Sequence, residues 1–272
     1  MNTPQSTFKV TFLGTGTSLG VPIPGCKCEV CSSNDKRDKR LRTSCLITFE
    51  NIVNKTALRP LQIAIDAGPD FRYQMLRADV QHLDAILITH EHRDHTAGLD
   101  DVRAYNYLQQ KAMPLYGNKK ALQGVEKMMY YAFHPMYPGV PEFELHFLDV
   151  NNDKYFTVGG IDIVPIEVMH AKLPVLAYRI GNFAYITDAK TISEKEKQKL
   201  NGVKTLVVNA LREEEHFSHF TLQQALDLIE EIKPDVAYLT HMSHLMGPYE
   251  TFQKRLPANV FLAYDGLQIH AQ

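Results

Sequence analysis

Apolar and β-branched residues gather in short runs along the chain, each bounded by Gly, Pro, Asn or Asp. Ten of them read as strands: FKVTFLG, SCLITFE, LQIAIDAG, LDAILITH, IDIVPIEVMH, VLAYRIG, FAYITDA, VKTLVVNAL, DVAYLTH and NVFLAYDG. Between them, apolar positions recur at helical spacing in DFRYQMLRAD, GLDDVRAYNYLQQ, KKALQGVEKMMYYAF, SEKEKQKL, TLQQALDLIEEIK and GPYETFQKRL. Strands interleaved with helices predict an α/β protein whose sheets are covered by helices. No repeat, low-complexity tract or Pro/Gly-rich linker divides the pattern, so a single domain over residues 1–272 is expected. The stretch HPMYPGVPEF, residues 134–143, carries three prolines and reads as an ordered loop.

Composition narrows this picture. With 272 residues and 44% hydrophobic content the chain can bury a large core. Its 29 basic and 31 acidic residues leave a net charge of −2, which argues against a broad basic surface for nucleic acid. The opening MNTPQSTFKVTFLG lacks a basic region followed by an apolar one, and no run approaches the roughly 20 apolar residues that span a bilayer. A cytoplasmic protein without membrane partners is the expectation.

Three of the four cysteines crowd into PGCKCEVC, as Cys26, Cys28 and Cys31. Thiols this close do not easily reach disulfide geometry with one another. Zn²⁺ accepts thiolates at such spacing and usually takes four ligands in a closed site, so a fourth is missing from the cluster. A reactive-thiol motif, or cysteines that merely pack, are the other readings. Cys45, inside SCLITFE, reads as a buried small hydrophobe.

The densest chemistry lies in THEHRDHTAGLDD, residues 89–101. His90 and His92 follow an apolar strand at i and i+2, which puts both imidazoles on one side of an extended backbone. Asp94 and His95 come next, in the turn before a helix. Four metal-capable side chains therefore converge where a strand ends, a usual place for sites in α/β folds. Further candidates stand just past other apolar strands: His170, Asp188 and His241.

HxHxDH, here His90 to His95, resembles the signature of the metallo-β-lactamase superfamily, and the later motifs follow in family order. The resemblance implies a four-layer αββα sandwich with a two-metal site between its sheets. Carried over by position, one metal takes His90, His92 and His170, the other takes Asp94, His95 and His241, and Asp188 bridges them. Asp66 matches an early acidic motif that supports the site from behind its ligands. Such a pair of ions holds a bridging hydroxide and neutralises charge on an attacked phosphorus. His and Asp ligands suit Zn²⁺, Mn²⁺ or Fe²⁺ alike.

Departure of a poor leaving group needs an acid nearby. His219, just before the helix of SHFTLQQAL, looks like the catalytic His of the superfamily's phosphodiesterase branches, as proton donor or leaving-group stabiliser; His216 is left as a loop residue. Within the superfamily the chain resembles PhnP-type phosphodiesterases, which carry both a CxCxxC cluster and a late HxxH. That likeness implies that in LTHMSH His241 binds the catalytic site, while His244 completes a structural zinc with Cys26, Cys28 and Cys31. The implied activity is hydrolysis of a small cyclic or diester sugar or nucleotide phosphate, by a protein that relatives suggest is a homodimer. The alternatives are a PqqB-like role in cofactor biosynthesis, a tRNase Z-like endonuclease, or thioester hydrolysis. Tyr105 and Tyr107 could shape a pocket, with core packing the default.

Overall fold

A computed structural model describes residues 7–50, 59–134 and 138–272. The strands are β1 (Phe8–Gly14), β2 (Ser44–Phe49), β3 (Leu61–Ile65), β4 (Ala85–Leu87), β5 (Met113–Asn118), β6 (Phe143–Leu148), β7 (Phe156–Val158), β8 (Ile161–His170), β9 (Leu173–Ile180), β10 (Phe183–Ile186), β11 (Thr191–Ile192), β12 (Thr205–Asn209), β13 (Val236–Thr240), β14 (Val260–Leu262) and β15 (Gln268–Ala271). They form two mixed sheets. One has seven strands in the order β15-β1-β2-β3-β4-β5-β6; the other runs β11-β8-β9-β10-β12-β13-β14, with β7 paired to β8. In each sheet the antiparallel part gives way to a parallel half, from β3 to β6 and from β10 to β14.

Alternation along the strands explains why the sheets stack. In β1, β2 and β3 the residues Phe8, Val10, Phe12, Cys45, Ile47, Ile63 and Ile65 meet Leu176, Tyr178, Phe183 and Tyr185 of the second sheet in a common core. The intervening positions, such as Leu46 and Ala64, face outward onto Phe71, Met75, Tyr105 and Leu122, from helices Phe71–Arg77, Arg103–Gln109 and Lys119–Met128. On the far side Ala184, Ile186, Leu206 and Val208 pack under Ala225, Leu228 and Ile229 of helix Leu222–Ile232. Both faces of each sheet are thus covered, so the strands read as continuous apolar runs. The result is the expected four-layer αββα sandwich. Each fully buried Val, Leu, Ile or Phe side chain in these layers contributes about 1.5–3 kcal/mol of transfer free energy.

Local differences from the sequence expectation have identifiable causes. LDAILITH pairs only over β4, because the chain leaves the sheet before His90. Asp94 and His95 lie inside a one-turn helix, Arg93–Thr96, rather than in a turn preceding one. The segment 98–110 begins as a 3₁₀ turn, Leu99–Val102, and KKALQGVEKMMYYAF breaks at Met129. Of the loop 134–143, residues 135–137 lie outside the described residues and Phe143 already begins β6. Tyr105 is a core residue whose hydroxyl donates to Val80 O at 2.9 Å, while Tyr107 is exposed. Among the described residues no helix is long and apolar enough to cross a membrane.

Candidate metal centres

Asp66, Asp188 and His241 each follow a strand of a parallel half, and each adopts a left-handed backbone, with φ of 63°, 54° and 55°. Non-glycine residues avoid that region unless the surroundings enforce it. Here the kink turns the side chain off the strand end and into the cleft between the sheets. Gly68 and Gly98 clear space for the opposite wall. A Cβ on Gly68 would lie 2.0 Å from Asp94 O, and one on Gly98 would lie 2.0 Å from Gly68 O. The bare glycine at 68 lets the Asp94 backbone come this close.

The histidine tautomers are set from behind. His95 Nδ1 lies 2.6 Å from Asp66 Oδ2, and Asp66 is fixed in turn by the Thr89 N–H at 2.9 Å and the Thr89 hydroxyl at 2.8 Å. His90 Nδ1 lies 3.0 Å from Thr89 Oγ1, and His170 Nδ1 lies 2.8 Å from Ser218 O. Each ring thereby spends one nitrogen on an outer partner and turns the other toward the cleft, the arrangement usual for metal-binding histidine.

Spacing separates a metal site from a set of ion pairs. His95 Nε2 lies 3.3 Å from Asp94 and 3.2 Å from Asp188; His241 Nε2 lies 3.7 Å from Asp94 and 3.3 Å from Asp188. A direct charged hydrogen bond would be about 2.7–2.9 Å. Ligands at about 2.0–2.1 Å around one tetrahedral ion would stand about 3.3 Å apart. Consistently, the Nε2 atoms of His90, His95 and His241 are buried without a hydrogen-bond partner, although burying a polar atom unpaired is costly. These orphaned nitrogens are what an ion would satisfy.

The structure brings Asp94, His95, Asp188 and His241 together as one candidate group, and His170, Asp188 and His219 as a second sharing Asp188. His90 and His92 sit beside them: their rings are 4.5 Å apart, and the His170 ring lies 5.8 and 5.2 Å from each. Burial raises the Asp188 pKa, but His241 and His95 outweigh it and hold the carboxyl well below the usual range. For His95, burial opposes the charged ring, yet Asp188, Asp94 and Asp66 hold its pKa well above the ordinary value. Burial alone dominates His90, which is driven well down.

Cys26, Cys28, Cys31 and His244 form the third group. The three sulfurs stand 3.4, 3.3 and 3.6 Å from His244 Nδ1. One zinc bonded to sulfur at about 2.3 Å and nitrogen at about 2.0 Å requires edges of about 3.5 Å. The Cys31 backbone N–H leads in lowering the Cys28 thiol to about 6, whereas burial pushes Cys31 up to about 11. Cys45 is fully buried in the core, away from this cluster.

Two supports escaped sequence reasoning. Ser218 carries the carbonyl that orients His170, and nothing but its place beside His219 hinted at it. Arg40, in the charged stretch RDKRLRTS, is fully buried and donates to Ser243 O at 2.9 Å and Gly247 O at 3.2 Å. It thereby clamps the segment that carries His244, while Asp38, 3.5 Å away, accepts the Tyr249 N–H at 2.8 Å.

Strand-end His and Asp residues gathered between two helix-covered mixed sheets define a metallohydrolase. A family model, the beta-lactamase superfamily domain, matches residues 62–242, and the chain belongs to the metallo-β-lactamase superfamily. It is similar to a solved diphosphatase of the PhnP family, with 35% identity, a TM-score of 0.87 and 97% of both chains covered. A protein named octanoyltransferase from Porphyromonas gingivalis is 40% identical over 258 residues, which cover 94% of this chain and 50% of that protein. The chain thus spans about half the length of that curated relative. Zn²⁺-bound PqqB from Methylobacterium extorquens shares the fold at 18% identity and a TM-score of 0.72.

Proposed function

We propose that the chain is a two-metal phosphodiesterase acting on a small cyclic or otherwise diester-linked sugar or nucleotide phosphate. His219 carries this reading. Its Nδ1 lies 3.7 Å from Asp188 Oδ1 and has no hydrogen-bond partner, and its ring stands 4.5 Å from His170 and 4.9 Å from His241. A side chain so placed stands beside the candidate metal ligands with one ring nitrogen unpaired. The capping box of Thr221 and Gln224 fixes the start of the following helix, and with it the approach of His219.

Two divalent ions held by His90, His92, His170, Asp94, His95, His241 and the shared Asp188 would supply a water nucleophile at neutral pH and neutralise charge at phosphorus. Burial, with His241 beside it, lowers the His219 pKa to about 3, so the ring is neutral at pH 7 and carries one N–H. That N–H can donate to the departing oxygen as negative charge grows on it, which is when a weak acid becomes useful. The similarity to a PhnP-family diphosphatase supports phosphorus as the electrophile. A net charge of −2 favours a small substrate over a polyanion.

The test is hydrolysis of bis(p-nitrophenyl) phosphate and of cyclic ribose phosphates by metal-reconstituted protein. Turnover well above that of an Asp94→Ala control is expected; turnover equal to it would remove the reading. Thioester hydrolysis has one observation in its favour, the octanoyltransferase relative. Faster turnover of an octanoyl thioester than of any phosphodiester would replace the diester reading with that one.

A further inference from the structure

The loop from Arg212 to Phe220 is tied at its base. The Leu211 N–H donates to Phe220 O at 3.1 Å, the Leu222 N–H to Arg212 O at 2.8 Å, and the Phe220 N–H to Ala189 O at 2.7 Å. Within it, Arg212 Nη2 donates to Glu215 O at 3.0 Å and His216 Nδ1 lies 3.3 Å from Ser218 Oγ. Its acids are paired as well, Glu213 with Arg255 and Glu215 with Lys190. A segment fixed this firmly is expected to turn its large apolar side chains inward, as it does Phe220. Ser218 and His219 do go in, yet Phe217 beside them is 78% exposed.

The position of that ring is informative. Phe217 lies 4.8 Å from the His216 ring, and His216 lies 5.0 Å from His219. Flat rings therefore run in a row from the candidate metal ligands to solvent, and an open aromatic face ends the row.

We propose that Phe217, backed by His216, is a stacking platform for a flat heteroaromatic group of the substrate, a nucleobase in the first instance. The proposal rests on the diester reading, and it narrows the substrate to a base-bearing one. Two ring-to-ring steps from His219 match the reach from a ribose phosphate at the cleft to its own base. Stacking suits any base, because each offers a π face. An acyl chain would want an enclosed apolar groove, whereas Phe217 is open to solvent with His216 beside it. Phe217 has no titratable group, so it binds without taking part in the chemistry.

Calorimetric titration of the metal-loaded protein with AMP and with ribose 5-phosphate tests this without requiring turnover. AMP should bind about tenfold more tightly than ribose 5-phosphate. Phe217→Ala should abolish that margin and leave ribose 5-phosphate binding unchanged, while Phe217→Tyr should keep it. Equal affinities in the native protein, or equal weakening of both ligands by Phe217→Ala, would overturn the platform. If the margin is found but no diester is hydrolysed, the diester reading fails and the platform stands.

Discussion

His241 and His244 sit three residues apart, yet the sites they enter are built on different plans. The thiol group draws three residues from one short stretch and a fourth from far along the chain, and these four would close the site around an ion. The cleft draws its residues from the ends of β3, β4, β8, β10 and β13. Its His90, His95, Asp188 and His241 are buried, Asp94 and His170 are half-buried and His92 is exposed at its mouth, and it fixes its rings through Asp66, Thr89 and Ser218. A closed set of ligands suits a structural ion, whereas an open, braced one suits chemistry. Between the two runs the segment 241–247, clamped by Arg40. The thiolate group is thereby in a position to hold the cleft's rim.

If the division is right, damage to the cleft should spare the thiolate group. Asp188→Ala removes the carboxylate shared by both cleft groups, so hydrolysis should fall by about 10³-fold or more. Elemental analysis should then find the cleft's ions lost and the thiolate ion retained. His219→Ala should lower kcat by about 10²–10³-fold with the metal content unchanged, a separation that a ligand role for His219 would break. Asp66→Asn keeps the size of the side chain but weakens its hold on His95. Metal affinity in the cleft should drop about 10–100-fold, seen in competitive chelator titration, with no change at the thiolates.

A separate effect, on stability alone, lies beneath the shared segment. Asp265 accepts from the Thr15 hydroxyl and the Leu41 N–H, both at 2.8 Å, and Thr15 O accepts the Met242 N–H at 2.9 Å. Burial raises its pKa to about 6. A carboxyl whose folded pKa exceeds its unfolded value of about 3.9 stabilises the protein most when protonated. That contribution, on the order of 3 kcal/mol, should be present below pH 4 and lost as pH rises through about 6. Denaturation across this window should show the loss in the native protein and not in Asp265→Asn.

These outcomes bear on what could be read from the chain alone. The α/β class was legible because strands covered on both faces give apolar runs, as FAYI does, whereas the four-layer αββα order came only with the resemblance that HxHxDH carries. β5, β6, β7, β11 and β15 were not legible, since MPLYGN carries Pro and Gly, β7 and β11 are very short, and β15 is half polar. The cleft residues were suggested by motif and strand-end position. What gathers them, the left-handed kinks at Asp66, Asp188 and His241, is a tertiary constraint with no local signature. Arg40 and Asp38 gave no sequence signal because burial of an ion pair depends on distant partners, here the carbonyls of Ser243 and Gly247.

The central claim, a two-metal cleft beside a separate thiolate ion, is tested most directly by anomalous diffraction from crystals of the native protein and of His244→Ala. The account predicts two ions in the cleft and one among Cys26, Cys28 and Cys31 in the native protein, with only the latter lost in the variant. A single ion at the thiolates of the native protein, or cleft ions that leave when His244 is removed, would contradict it.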